Sequence, residues 1–195
     1  MIQKGALWFL SGFGLALLIG WYAFPQLLYR SVDQPVQFSH AVHAGEAVGM
    51  TCDGCHTVSD DGRFAGIPTL EQCAGCHADV VGATEAEKHF VEEYVRQGRE
   101  VPWLVYARQP DNAHFSHADH VKVGEIACER CHGPHGTTET LRPFEENRIT
   151  GYSRDVWGAN ISGVKSNPWE GMKMDDCVAC HKENNRRSAC LACHK

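Results

Sequence analysis

The five-residue word Cys-x-x-Cys-His occurs five times, at residues 52–56, 73–77, 128–132, 177–181 and 190–194. The words contain all ten cysteines of the chain, and none is left over. With ten Cys and twelve His in 195 residues, chance supplies on the order of 0.03 copies. Whatever this chain folds into must therefore use the word. Paired Cys-x-x-Cys knuckles make good tetrahedral zinc sites, but zinc does not need a His directly after the second Cys five times out of five. Disulfides would use the cysteines evenly and leave that His unexplained. Covalent haem explains every position. Two thiols add across the porphyrin vinyl groups, and residues i, i+3 and i+4 share one face of a helical turn. The His then reaches the iron, which is the arrangement of c-type haem attachment. The thioether candidates are Cys52, Cys55, Cys73, Cys76, Cys128, Cys131, Cys177, Cys180, Cys190 and Cys193. The proximal ligands are His56, His77, His132, His181 and His194.

Composition gives the haems a second task. A chain of 195 residues could build its own core. Here much of the apolar content lies before residue 30, and the remainder is rich in Gly, Cys, His, Asp and Glu. Such a chain needs a prosthetic staple, and five flat apolar rings would replace the missing side chains. The expected fold is mostly irregular, with short α-helices at the words and little or no sheet. The net charge of −6 and the lack of clustered Lys and Arg give nucleic-acid binding no support.

The segment ALWFLSGFGLALLIGWYAF, residues 6–24, carries no charge. At 1.5 Å per residue it nearly spans the hydrocarbon layer. Trp8, Trp21 and Tyr22 sit near its ends as interfacial aromatics do. A cleaved signal peptide is the rival reading, but the run is longer than a usual signal core and no small-x-small cleavage site follows. The expectation is an uncleaved transmembrane anchor over residues 1–30. Haem c is attached outside the bacterial cytoplasm, so the bulk of the chain is expected in the periplasm.

Five irons need a sixth ligand each, and seven further histidines are present. Methionine, the rival ligand, raises the potential, but only Met50, Met172 and Met174 are available besides Met1. Bis-histidine ligation is expected to dominate. The sequence repeats internally: QFSHAVHAGEAVGMTCDGCH at 37–56 resembles HFSHADHVKVGEIACERCH at 114–132. Both read Phe-Ser-His-Ala-x-His, then Gly-Glu, then a haem word. Histidines three apart share a helical face and can serve two neighbouring haems. His40, His43, His117 and His120 are the first distal candidates, then His135, then His114. His89 is weaker. It lies in TEAEKHFVEEYVRQG, residues 84–98, which reads as an amphipathic helix with a Thr84–Glu87 capping box and Gly98 at its end. Phe90, Val91, Tyr94 and Val95 form one face, and His89 points away from it. Seven candidates for five positions leave two, which is what a sixth, non-covalent haem would need; ordinary polar residues are the favoured account.

The repeats suggest two haem modules, 31–84 with two haems and 114–195 with three, joined by a helix and connector at 85–113. The word-free segment 151–174 reads as a loop covering a haem or as a docking surface, with docking slightly favoured.

FSHAVH and FSHADH followed by haem words resemble class III cytochromes c, the c3 and c7 group. The wider layout, an anchor followed by PVQFSHAVHAGE, IPTLEQCAGCHA and VPWLVYARQPDNAHFSHADHV, is similar to the multihaem subunit of alternative complex III. It is more similar to the related subunit of the menaquinone reductase complex of sulfate reducers. That resemblance covers most of the chain to about residue 135, and the C-terminal pair of words favours the second subfamily. It implies a class III-like multihaem electron carrier. The implied partners are a molybdoenzyme-like subunit, an iron–sulfur subunit and a polytopic quinone-binding membrane subunit. A soluble tetrahaem cytochrome c3 is the implied donor. The competing readings are an alternative complex III subunit, a stand-alone anchored quinol dehydrogenase, and a catalytic multihaem reductase. The last needs an open iron site, and spare histidines outnumber haems here.

Overall fold

In the computed structural model, residues 2–109, 111–155, 165, 167–187 and 190–194 are described. Residues 156–164 and 166, the middle of the expected covering or docking segment, lie outside them. Helix α1 (Ile2–Leu18) continues through a π-helical turn (Ile19–Ala23) into α2 (Phe24–Leu28). Its Lys4–Ala23 portion has a mean hydropathy of 1.6 and none of it is buried. It is long and apolar enough to cross a membrane.

The helix hands directly to β1 (Tyr29–Val32), which pairs antiparallel with β2 (Phe144–Asn147). The register runs from Tyr29 opposite Asn147 to Val32 opposite Phe144. Arg30 ion-pairs with Glu146 across the ladder. Arg154 reaches Glu145 at 3.0 Å and lies 5.5 Å over the Tyr29 ring. The base of the apolar helix is thus stitched to a strand more than a hundred residues away.

The remainder consists of short helices separated by turns. Helix α3 (His40–Ala44) starts at Ser39, whose hydroxyl accepts from the Val42 amide at 3.2 Å. The haem words fall on α4 (Cys52–Cys55), α5 (Leu70–Ala74), α7 (Glu129–His132), α8 (Met174–Glu183) and α9 (Cys190–Cys193). Many short helices and a two-stranded sheet agree with the fold expected from the sequence.

The 84–98 region differs in detail from expectation. Helix α6 (Glu85–Phe90) passes into a π-helical stretch (Val91–Val95). The Thr84 hydroxyl does accept from the Glu87 amide, at 3.2 Å. The reciprocal half of the capping box is not made, because the Glu87 carboxylate is used elsewhere, on His77, Val81 and Gly82. Phe90, Val91 and Tyr94 are buried as expected, and His89 is exposed. Together with Val36 and Val101 they form the core cluster, against which Leu70, Cys73, Val95 and Trp103 pack. This core is small. The accessible surface is 13,832 Å², against about 9,200 Å² for a compact protein of this mass. Outside the apolar helix, large apolar side chains such as Val42, Val48, Phe64, Ile67 and Val123 are exposed.

Candidate haem-binding sites

In each word the first Cys and the His are joined along the chain by a helical turn. The His amide donates to the carbonyl of the first Cys in His56 (2.8 Å), His77 (2.9 Å), His132 (3.0 Å) and His194 (3.0 Å). All ten cysteines are free thiols, each half-buried or exposed. Among the described residues no three metal-ligating side chains converge on one point. The donors are instead arranged as opposed pairs of rings.

With metal–imidazole bonds of about 2 Å on each side and about 1 Å from ring centre to nitrogen, two axial imidazoles have centroids about 6 Å apart. Among the described residues, four such pairs join a ring of a word to a ring outside the words. His40 faces His56 at 6.5 Å and 23° (site 1), and His43 faces His77 at 6.0 Å and 48° (site 2). His117 faces His132 at 6.3 Å and 4° (site 3), and His120 faces His181 at 6.0 Å and 21° (site 4). In each pair one ring belongs to a word and the other to a Phe-Ser-His-Ala-x-His repeat. Phe38 and Phe115 hold the repeat rings in place, stacking on His43 at 4.3 Å and on His120 at 4.4 Å.

In seven of the eight paired rings, all but His132, Nδ1 has a described partner, which leaves Nε2 for a metal. His43 and His120 donate back to Ser39 O (2.8 Å) and Ser116 O (2.7 Å). His117 donates to Arg63 O at 2.6 Å, His56 to Gly66 O at 2.7 Å and His181 to Arg187 O at 2.9 Å. His40 meets the Thr138 hydroxyl at 3.4 Å, and that hydroxyl donates onward to His135 O at 2.8 Å. His77 is the exception in kind: its partner is a carboxylate, Glu87, at 2.9 Å. Burial opposes charge on Glu87, but the Val81 and Gly82 amides and the His77 ring outweigh it and hold its carboxyl below the usual range. Burial, then the neighbouring imidazoles, bring His40 and His132 down to about 4. Both rings are neutral at pH 7 and carry a free lone pair.

The fifth word, site 5, is placed by backbone. His194 pairs with Ala113 in an antiparallel bridge. His194 donates to Asn112 O at 3.2 Å, and the His114 amide donates to Cys193 O at 2.5 Å. His135 lies 6.3 Å from His40 at 48°, and His89 packs edge-on to Tyr94 at 5.9 Å. Among the described residues, the distal candidates His114, His135 and His89 form no ring pair with His194.

The cytochrome c3 family matches residues 42–143, more than half of the chain. The chain is also 40% identical to the "Menaquinone reductase, multiheme cytochrome c subunit" of Nitratidesulfovibrio vulgaris (strain Hildenborough). That alignment runs over 206 residues and covers 98% of this chain and 90% of the relative. The chain belongs to the cytochrome c3 family. Membership implies haem c, and the residues of this cytochrome c3-family chain fit the group. The opposed rings have the right gap. Two buried guanidinium nitrogens, Nε of Arg63 and Nε of Arg142, have no hydrogen-bond partner. Porphyrin propionates are the acceptors that such donors want.

Arg142 is held ready. It ion-pairs with Asp155, and its guanidinium lies 4.2 Å from the Tyr106 ring centroid and 4.8 Å from that of Trp169. Arg142, Tyr106 and Trp169, with His135 and Thr138, line a cavity of about 410 Å³. Neither arginine nor Thr138 stood out in the sequence, and Glu87 did so only as half of a helix cap. Each matters only because a distant residue meets it, and no local spacing signals that.

Proposed function

We propose that this chain is the multihaem electron-transfer subunit of a membrane-bound quinone reductase complex. It takes electrons from a soluble tetrahaem cytochrome c3 and delivers them, through partner subunits, toward menaquinone. Five covalent c-type haems are carried on the five words, at Cys52/Cys55, Cys73/Cys76, Cys128/Cys131, Cys177/Cys180 and Cys190/Cys193. His56, His77, His132, His181 and His194 are the proximal ligands. His40, His43, His117 and His120 are the distal ligands of sites 1 to 4. Residues 1–30 anchor the chain, with the modules 31–84 and 114–195 and the connector 85–113 in the periplasm. The partners are those that the resemblance implies: molybdoenzyme-like, iron–sulfur and polytopic quinone-binding subunits.

The observation that carries this reading is the four opposed imidazole pairs at 6.0–6.5 Å. Bound haem supplies a one-electron iron couple. The protein's work is to close the iron on both faces, so that four of the five sites carry electrons and do not bind substrate. Ring-held Phe38 and Phe115, and the Nδ1 acceptors, fix the imidazoles for that task. The printed name of the similar protein, a menaquinone reductase subunit, supports the assignment to a quinone-linked complex.

Purification in mild detergent tests the reading. Intact mass is expected to show the 21.6 kDa chain plus five haem masses, with residues 1–30 retained and a quinone-reactive membrane subunit copurifying. Fewer than five covalent haems, or a chain that purifies alone and oxidises quinol by itself, would overturn it. Acid–acetone extraction checks the count from the other side. Thioether-linked haem stays with the chain, whereas extractable haem near one per chain would add a sixth, non-covalent group.

A further inference from the structure

The paired sites come as two couples, and the manner of their joining decides how the whole set is connected. His40 and His43 lie on the single helix α3 and face His56 and His77. His117 and His120 lie one turn apart on the 116–123 segment and face His132 and His181. Three residues of helix separate ligands by only about 4.5 Å along the axis, so sites 1 and 2 are neighbours, and so are sites 3 and 4. Chain order alone would join the couples through sites 2 and 3. Four junctions are conceivable: 1–3, 1–4, 2–3 and 2–4.

We infer that the junction is between sites 1 and 3, giving the spatial order 2–1–3–4, with site 5 on the side of sites 3 and 4. The order rests on the reading of the words as haem sites. Two straps, each reaching from one site to the other, carry it. The first is the loop 57–66, which follows the site 1 word. Its Gly66 carbonyl accepts from His56 at 2.7 Å, while its Arg63 carbonyl accepts from His117, the distal ring of site 3, at 2.6 Å. Its Gly62 carbonyl accepts from the Ala118 amide at 2.9 Å and the Ser116 hydroxyl at 3.3 Å.

The second strap is the turn that follows the site 3 word. Its Thr138 carbonyl accepts from the Ala41 amide at 2.9 Å, and the Thr138 hydroxyl meets Nδ1 of His40, the distal ring of site 1, at 3.4 Å. His135 of the same turn stands 6.3 Å from His40. So each site's proximal loop holds the other site's distal histidine. Site 2 lies away from this clasp, its His77 packed on Glu87 and edge-on to Phe90 at 6.1 Å. At the other end, the site 5 word is strapped to residues 112–114, just before His117.

The order predicts how many neighbours each site has, and that number can be read. Replacing a distal His by Met changes one site to His/Met ligation and raises its potential. Charge interaction falls with distance and is screened beyond about 8–10 Å at ordinary ionic strength, so adjacent sites feel the altered charge far more than remote ones. The experiment is an EPR-monitored redox titration of the full-length chain in detergent, with the haem count by intact mass checked first. His40→Met is expected to shift the midpoints of two other components, those of sites 2 and 3. His43→Met is expected to shift one, that of site 1. One component shifted by His40→Met and two by His43→Met would restore chain order and overturn the inference. A haem count below five would instead sink the reading of the words.

Gly62→Val provides a second arm that keeps all ligands. Gly62 has φ +73°, and a Cβ there would stand 2.9 Å from the Ala118 Cβ, so the loop must move off the 116–123 segment. Altered EPR components for sites 1 and 3 together are the expected result. Alteration confined to one component would show that the loop does not join the two sites.

Discussion

A ligand histidine is set up as much by its Nδ1 partner as by the metal it faces. Five rings among sites 1 to 4 donate to backbone carbonyls, which are neutral, and only His77 meets a carboxylate. A carboxylate makes the imidazole a stronger donor to iron and favours the ferric state. Glu87→Gln is therefore expected to raise the midpoint potential of one haem and leave its low-spin spectrum intact. Spectroelectrochemistry reads this, and an unchanged titration would assign Glu87 a purely structural role through Val81 and Gly82. His117→Ala, by contrast, removes a ligand. One iron is expected to turn high-spin with all five haems still attached, and an unchanged low-spin spectrum would contradict its place opposite His132. Arg142 has a third kind of role. Its partner Asp155 is 3% exposed, and breaking such a pair strands a buried charge. Arg142→Leu is expected to cost about 3 kcal/mol of stability, read as a fall in the thermal unfolding midpoint of the holoprotein.

Elements of four or five residues are too short to be stable by themselves, so their positions depend on what they are tied to. The β1–β2 ladder is the clearest case. It ties the end of the N-terminal apolar helix to the C-terminal half of the protein, with Arg30–Glu146 and Arg154–Glu145 across it. Deleting residues 1–28 spares this ladder, and the truncated chain is expected in the soluble fraction with its haem spectrum unchanged. Deleting residues 1–32 removes β1, leaves β2 an unpaired edge, and is expected to lower the thermal midpoint further. Equal stability of the two truncations would mean that the ladder contributes nothing.

At the scale of the molecule the decisive quantity is charge. The chain carries −6, and with the five haems of the proposed function two ionised propionates on each would take it to roughly −16, enough to steer a basic partner over long range. Glu85, Glu92 and Glu93 are exposed on the 85–95 helical segment, near site 2, one end of the inferred order. Reduced tetrahaem cytochrome c3 with a lysine-rich docking face is expected to deliver electrons quickly at low salt. The rate should fall steeply as ionic strength rises, because screening shortens the reach of the field. Stopped-flow mixing over a salt series measures it. A salt-independent rate, or faster transfer from an acidic donor, would rule this surface out as the entry port.

The parts of this protein that read directly from the chain are those whose chemistry is local. A haem word needs five consecutive residues, an anchor needs one uncharged run, and the Phe-Ser-His-Ala-x-His repeats carry their histidines on one helical turn. The small sheet content was legible for a related reason, since so few stretches alternate or run apolar after the anchor. Tertiary structure decided what depends on long-range approach. No spacing indicates that His40 stands opposite His56 while Thr138 holds its other nitrogen, 98 residues away. The same applies to Glu87, which a local pattern assigned to a helix cap and the fold assigned to His77. The junction between the two couples of sites depends on hydrogen bonds between backbone carbonyls and imidazoles, and every residue type offers the same carbonyl. That is why the five words were legible in the sequence, and the pairing of their histidines with the repeat histidines only in the fold.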